Sequence, residues 1–237
     1  MKIGIISDVH GNAFALEKVL LHITPLCDRI IGLGDLFGYF PGHLAVYAII
    51  KQLNIPVLIG NHEAMIMKMT AIPPNHSEVY RHDLVRRELG VEAVGAITTG
   101  TSFLFFKELG RRVLFVHGTP WDPLHGRLYP DSDLSFLSQV DAEVILMGHT
   151  HYPFSTTVGG KLIGNPGSVG LPRDAGDLAS FGVLDLVRCR FDVYRIPLDA
   201  NEILSAYPDV DRSVRGVVLG RRQANPFGIH ISTKYPL

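Results

Sequence analysis

Residues 3–12 read Ile-Gly-Ile-Ile-Ser-Asp-Val-His-Gly-Asn, an apolar run that stops abruptly at Asp8-Val9-His10. A short Ile-rich run bounded by a turn is the pattern of a strand buried on both faces. Four more runs end in the same way. Arg29–Leu33 leads to Gly34-Asp35, and Pro56–Ile59 leads to Gly60-Asn61-His62. Val113–Val116 leads to His117-Gly118, and Val144–Met147 to Gly148-His149-Thr150-His151. In open α/β architecture, ligands bind beyond the carboxyl ends of the strands. One such ending could be chance. Five of them, carrying Asp, His, Asp, Asn and three further His, point to one shared metal centre.

The segments between the runs supply the rest of an α/β pattern. Ala13 to about Pro25 has helical spacing, with Phe14, Leu16, Val19, Leu20 and Ile23 as its apolar stripe. A second helix is expected from about Gly42 to Leu53. Strand and helix alternating in this way imply βαβ units and a largely parallel layer, whose right-handed crossovers bring the strand ends to one edge. Residues 64–100 depart from the pattern and read as a helical excursion over that edge. It is interrupted at Pro73-Pro74 and helical again from Ser77 to Leu89. Its methionines, Met65, Met67 and Met69, read as core packing. Beyond Val144–Met147, Phe154–Val158 and Lys161–Ile163 form a hairpin around Gly159-Gly160. Ser180–Leu186 and Arg190–Ile196 form another, and closing helices fall at about 199–222. Nothing divides the 237 residues, so a single domain over 1–237 is expected.

Side chains two apart on a strand leave on the same side, so Asp8 and His10 can converge on one ion, as can His149 and His151. Glycines 11, 34, 60, 118 and 148 let the chain bend close to a cation. The donor set of Asp8, His10, Asp35, Asn61, His117, His149 and His151 has oxygen and imidazole nitrogen but no sulfur. It suits manganese, iron, nickel or zinc better than calcium. Two divalent ions against two carboxylates leave a positive centre, which favours an anionic substrate such as a phosphate ester. Two metals ~3.5–4 Å apart can polarise a phosphoryl oxygen and generate hydroxide near neutral pH. His62, next to Asn61, is the candidate acid for the leaving oxygen.

Composition narrows the class. With 22 Lys and Arg against 23 Asp and Glu, the net charge is −1, and no basic field favours long nucleic acids or membranes. No apolar stretch approaches the ~20 residues that span a bilayer. Cys27 and Cys189 are the only cysteines, far apart and outside any CxxC spacing, which fits a reducing cytoplasm. Met1-Lys2 runs straight into the first strand and leaves no room for a secretory leader.

Together, Asp8-Val9-His10, Gly34-Asp35, Gly60-Asn61-His62-Glu63, His117 and Gly148-His149-Thr150-His151 resemble, in order, the motifs of the calcineurin-like metallophosphoesterase superfamily. The chain is most similar to its small prokaryotic branch of YfcE-type phosphodiesterases. That likeness is echoed in Gly34-Asp35-Leu36-Phe37-Gly38-Tyr39 and Asn165-Pro166-Gly167-Ser168-Val169-Gly170. The resemblance implies a two-sheet sandwich flanked by helices and a binuclear phosphoesterase. It implies one metal on Asp8, His10 and His151, a second on Asn61, His117 and His149, and Asp35 bridging. His62 becomes the acid or transition-state donor, steered by Asp35. Phe37, Phe40 and Pro41 depart from many relatives and imply a different substrate shape.

Other residues carry weaker signals. Asn12 could donate to a substrate phosphate or cap the next helix, and Arg173 could hold a phosphate through a two-pronged contact. Asn165 and Ser168 read as turn residues. His22, His43, His76, His82, His125 and His230 read as non-ligands, with His125 at most on a substrate rim. The expected substrates are phosphorylated small molecules, nucleotides or phosphoproteins, with specificity in residues 64–100 and 119–131. The apolar tail residues Phe227, Ile229 and Ile231 suggest a homodimer contact. Dinucleotide, P-loop and GxSxG nucleophile signatures are not matched. A non-catalytic interaction scaffold of the same fold is the rival function.

Overall fold

The computed structural model describes residues 1–74 and 76–231. The chain opens with β1 (Lys2–Ile6), α1 (Ala13–Ile23), β2 (Arg29–Gly32) and α2 (His43–Gln52). Short helices follow: α3 (Asn61–Ile66), α4 (Ser77–Tyr80), α5 (His82–Glu88) and α6 (Val91–Ala96). Next come β3 (Phe103–Glu108), β4 (Arg111–Val116), β5 (Val144–Met147), β6 (Phe154–Val158) and β7 (Lys161–Asn165). The last elements are β8 (Leu178–Asp185), β9 (Arg190–Pro197), α7 (Ala200–Ala206), α8 (Arg212–Gly220) and β10 (Ile229–His230). No helix among the described residues is long and apolar enough to cross a membrane.

The strands form two five-stranded mixed sheets, in the orders β10-β9-β8-β1-β2 and β3-β4-β5-β7-β6. β1 and β2 are parallel, as are β4, β5 and β7, while β3, β6, β8 and β9 add antiparallel pairs. The period of two along each strand sorts side chains between two layers. Ile3, Ile5, Val113, Phe115, Val144 and Leu146 meet between the sheets. On the outer side of the first sheet Ile6 packs with Leu16, Val19 and Ile23 of α1. Leu114, Val116, Ile145 and Met147 face outward from the second sheet and are covered by Leu128, Leu137 and Ala142.

Several details depart from the sequence reading. The five ligand-bearing runs do not share one parallel layer, because β1 and β2 lie in one sheet and β4 and β5 in the other. Pro56–Ile59 contributes only a bridge at Val57, flanked by Gly32 and Thr98. Pro56 has no N–H for a ladder, and the chain turns into α3 at once. β3 was not foreseen; it lies at a sheet edge and alternates exposed and half-buried residues. The helix expected over Ser77–Leu89 breaks at Arg81, whose φ of 55° interrupts the ladder. Met65 is buried and Met67 packs on the core, but Met69 is exposed. In the tail, Ile231 is buried, whereas Phe227 and Ile229 remain exposed.

One buried ion pair ties the closing segment to the first sheet. Arg195 on β9 is fully buried, and its guanidinium grips both carboxylate oxygens of Asp174. It also donates to the carbonyls of Leu178 and Phe227, both at 2.9 Å. Removing one partner leaves a buried charge without compensation, which costs about 3–5 kcal/mol. Asp174→Ala is therefore expected to lower the denaturation midpoint strongly, while Arg195→Met with Asp174→Leu loses far less. Equal destabilisation of both variants in urea titrations would contradict this account.

Candidate metal centre

β1 and β2 stop at Ile6 and Gly32, yet their backbones stay zipped past the strand ends. Leu33 N–H donates to Ile6 O (2.8 Å), Asp8 N–H to Gly34 O (3.0 Å) and His10 N–H to Asp35 O (3.0 Å). At the facing edge, Gly148 N–H donates to His117 O at 2.9 Å. Asp8 stitches the two edges together. Its carbonyl accepts from Gly170 N–H (3.1 Å) and Ser168 Oγ–H (2.7 Å), and its Oδ2 accepts from His149 N–H (3.1 Å). Ser168 and Asn165 are indeed turn residues: the Asn165 amide donates to Gly148 O at 2.8 Å and accepts from Gly167 N–H at 2.8 Å.

Five candidate ligands hold left-handed backbone: Asp8 (φ 55°), His10 (53°), Asp35 (57°), His149 (66°) and His151 (63°). Each such residue costs on the order of 1 kcal/mol, least for Asp and His. The bends that glycine was expected to absorb are thus taken largely by the ligands themselves. Gly60 serves a different end: a Cβ there would overlap the Asp35 carboxylate. Beside it, fully buried Glu63 accepts backbone N–H groups from Asp35 (2.7 Å), Leu36 (2.8 Å) and Gly60 (2.9 Å). Burial and the neighbouring Asp35 carboxylate push Glu63 up to about 7, against the pull of these donors.

The first ligand group joins Asp8, His10 and His151. His10 Nδ1 donates to Phe37 O at 3.2 Å, and His151 Nδ1 donates to Leu171 O at 2.6 Å. A carbonyl only accepts, so each neutral ring keeps a bare lone pair on Nε2. Those two Nε2 atoms stand 3.0 Å apart. Asp8 Oδ1 is 3.3 Å from one and 3.8 Å from the other, buried and without a hydrogen bond. One proton could satisfy a single contact among these three acceptors, whereas a cation satisfies all of them.

The second group repeats the logic with Asp35, His117 and His149. His117 Nδ1 donates to Leu33 O at 2.8 Å, and its Nε2 lies 3.0 Å from Asn61 Oδ1 and 3.4 Å from Asp35 Oδ2. His149 Nε2 is buried with no partner. Asp35 Oδ2 is also 4.0 Å from His10 Nε2, so this carboxylate reaches both groups. The donors fit a first-row divalent cation, and the fixed Nδ1–H bonds are the usual second layer around a metal-binding imidazole.

Protonation follows from the crowding. Burial alone would raise Asp8, but His151 and His117 more than reverse it and hold the carboxyl well below its usual range. Burial likewise opposes ionisation of Asp35, yet His117 and His62 keep it low. Burial and the neighbouring His62 and His151 press His10 well down, and burial with His117 brings His149 to about 3. His117 moves the other way: burial pulls it down, but Asp35, Asp8 and Glu63 lift it to about 9. A proton on His117 is the protein's own counterion for Asp35, and a bound cation must displace it.

His62 lies against the first group, within 4.8 Å of His10 and Asp35 donor atoms. Asp35 Oδ1 holds only its backbone N–H (2.9 Å); the ring is fixed by His82, whose Nε2 is 2.9 Å from His62 Nδ1. The expected steering by Asp35 is therefore replaced by a histidine partner. If His62 donated, the buried and unpartnered Nδ1 of His82 would have to carry an orphaned proton. The cheaper tautomer has His82 Nε2–H donating, which leaves His62 with its proton on Nε2 and on the cleft side. Burial brings His62 down to about 4 and His82 to about 3, so both rings are neutral at pH 7.

The remaining expectations divide. Arg173 lines the cleft beside Tyr39. Asn12 does not: it is fully buried, with Oδ1 capping α1 at Ala15 N–H (3.0 Å) and its amide donating to Gly170 O (3.0 Å). Both ends are used, and the substrate-contact expectation is corrected to a cap. Phe37 and Phe40 point into the core, so the bulk on the cleft comes from Tyr39. His125 is exposed and off the cleft, while Arg127 and Tyr129 of the same loop line it. The reading also missed Tyr80, Tyr152, Arg221 and His82. None has a spacing that distinguishes it from a surface residue, because each is positioned only by tertiary packing.

Similarity to known proteins agrees with this geometry. Residues 1–188 match the calcineurin-like phosphoesterase superfamily domain. The phosphodiesterase YfcE of Escherichia coli strain K12 is 43% identical over 188 residues, covering 78% of this chain and 88% of that protein. A crystal structure of a metallophosphoesterase from Sphaerobacter thermophilus superposes with a TM-score of 0.73 at 24% identity, covering 92% and 98% of the two chains. The hypothetical protein PH1004 from Pyrococcus horikoshii OT3 gives 0.78 at 20% identity, over 92% and 97%.

Because His117 binds a proton up to about pH 9, manganese uptake is expected to release a proton at about pH 7.5. Affinity should then rise with pH until that proton is gone. Calorimetric titrations of metal-free protein in buffers of different ionisation enthalpy measure this directly. An apparent heat independent of buffer would disprove it.

Proposed function

Because the chain belongs to the calcineurin-like phosphoesterase superfamily, we propose that it is a metal-dependent hydrolase of phosphate esters working with two divalent transition-metal ions, manganese foremost. The observation that carries the reading is the set of buried acceptors facing one another at Asp8, His10 and His151, with the unpartnered His149 Nε2 grouped beside Asp35 and His117. In this reading Asp8, His10 and His151 hold one ion, Asn61, His117 and His149 hold the other, and Asp35 serves both. When bound, such ions supply Lewis acidity toward a phosphoryl oxygen and acidify water. The YfcE relative is named a phosphodiesterase, which favours diesters alongside monoesters.

The chain's own residues do the remaining work. Water oxygen forms a bond to phosphorus and releases one proton to solvent, the ester P–O bond breaks, and the leaving oxygen takes up a proton from solvent. The neutral His62 Nε2–H donates a hydrogen bond to the oxygen that accumulates charge, a role that needs no imidazolium. His82 keeps that proton on the cleft side. Arg173, at the mouth, receives the anion. The two free cysteines fit a cytoplasmic enzyme, and exposed Phe227 and Ile229 are the face proposed for a homodimer. A non-catalytic scaffold gains no support from strained, buried, unpartnered ligands, which a binding surface has no use for.

Asp35→Asn and His117→Ala are expected to lower turnover of p-nitrophenyl phosphate or its bis-ester with manganese at least about 100-fold. Full activity in both folded variants would defeat the ligand assignment, whereas an unsubstituted protein that turns over neither ester and holds no transition metal by elemental analysis would leave the scaffold in place. His62→Ala is expected to cost about 100-fold on alkyl phosphates and much less on p-nitrophenyl esters, whose leaving oxygen needs little help. His82→Ala should show the same leaving-group bias at smaller amplitude. Losses independent of leaving group would refute the donor role of His62.

A further inference from the structure

Arg127, Arg173 and Arg221 come from three separate segments and line the same cleft as the ligand groups, a cavity of about 300 Å³. The arginine–carboxylate pairs among the described residues all involve other arginines. Arg173 Nη2 donates to Tyr39 OH at 3.4 Å, and Arg221 Nη1 donates to Tyr152 OH at 3.3 Å and to Arg173 O at 3.1 Å. A guanidinium has five N–H donors, so most remain for an anion. Three uncompensated cations beside a centre already built for phosphate exceed what one phosphate group can neutralise.

Tyr129 and Tyr152 have a second role. Their rings meet edge to face at 5.7 Å and line a neighbouring cavity of about 560 Å³ as well as the cleft. Pro130, Pro153, Phe154 and Phe227 give that cavity apolar walls, and the amides of Gln223 and Asn225 add paired donors and acceptors. Flat aromatic walls with amide groups suit a heteroaromatic ring that has hydrogen-bonding edges.

Resting on the phosphoesterase reading, we propose that the substrate is a nucleotide with at least two linked phosphates. Its terminal phosphate lies at the ligand groups, the next phosphate lies among Arg127, Arg173 and Arg221, and the base occupies the cavity behind Tyr129 and Tyr152. Water oxygen bonds to the terminal phosphorus as the bridging P–O bond breaks with its electron pair on the departing nucleotide. One water proton stays on the product phosphate and the other goes to solvent.

The test compares ADP, AMP and p-nitrophenyl phosphate as substrates of the manganese-loaded protein, with calorimetric binding of α,β-methylene-ADP and AMP alongside. ADP is expected to exceed AMP in kcat/KM, and the methylene analogue to bind more tightly than AMP, each by about tenfold or more, the worth of one charged hydrogen bond. Arg221→Gln and Asn225→Ala should raise KM for ADP by about 10- to 100-fold with a far smaller change for p-nitrophenyl phosphate. Arg221→Lys should recover part of the loss. Turnover of p-nitrophenyl phosphate without preference for ADP over AMP, or equal losses on both substrates, would overturn the nucleotide assignment alone. Turnover of none of the three would remove the phosphoesterase reading and this one with it.

Discussion

Two imidazole lone pairs 3.0 Å apart, with an unpartnered carboxylate oxygen beside them, are a repulsive arrangement inside a protein. The lone pairs of His10 and His151 are forced into that position because each ring directs its Nδ1–H to a backbone carbonyl. His117 likewise commits its Nδ1–H to a backbone carbonyl, but its Nε2 faces Asp35 with a proton that serves as counterion. Burial removes the water that would otherwise screen these acceptors, which makes the interior favourable only to a species of opposite charge. The cleft is thus charged for cations before any arrive.

Maintaining such a centre takes a scaffold that resists relaxation. The ligand loops are continuations of the parallel ladder beyond β1 and β2, so they inherit the rigidity of the sheet. Glu63 gathers four backbone donors around the Asp35 turn, and Asp8 bonds to the opposite edge through its carbonyl and its carboxylate. Left-handed backbone at five candidate ligands is sustained by these contacts. The strain sits where the side chains must point, a pattern common at functional sites.

Around this fixed centre the variable parts set the chemistry of recognition. The break at Arg81 puts Tyr80 and His82 against His62, with ring centroids 4.5 and 4.9 Å away. The Arg127–Tyr129 segment and the turn after α8 bring cationic and aromatic groups from distant sequence positions. A centre carried by short motifs can therefore be joined to a recognition surface that no short motif encodes.

The sequence alone determined which Asp, Asn and His residues stand at strand ends as candidate ligands, the opening βαβ pattern, both C-terminal hairpins and the closing helices. Each depends on local chemistry: apolar periodicity, glycine turns, and Asp or His placed at a strand end. It did not determine that β1 and β2 belong to a different sheet from β4 and β5, since a buried run reads the same in either layer. Nor did it assign Asn12 to capping, His82 to His62, or Arg127 and Arg221 to the cleft. Those outcomes depend on which distant surfaces pack together, and only the tertiary structure brings such residues within reach of one another.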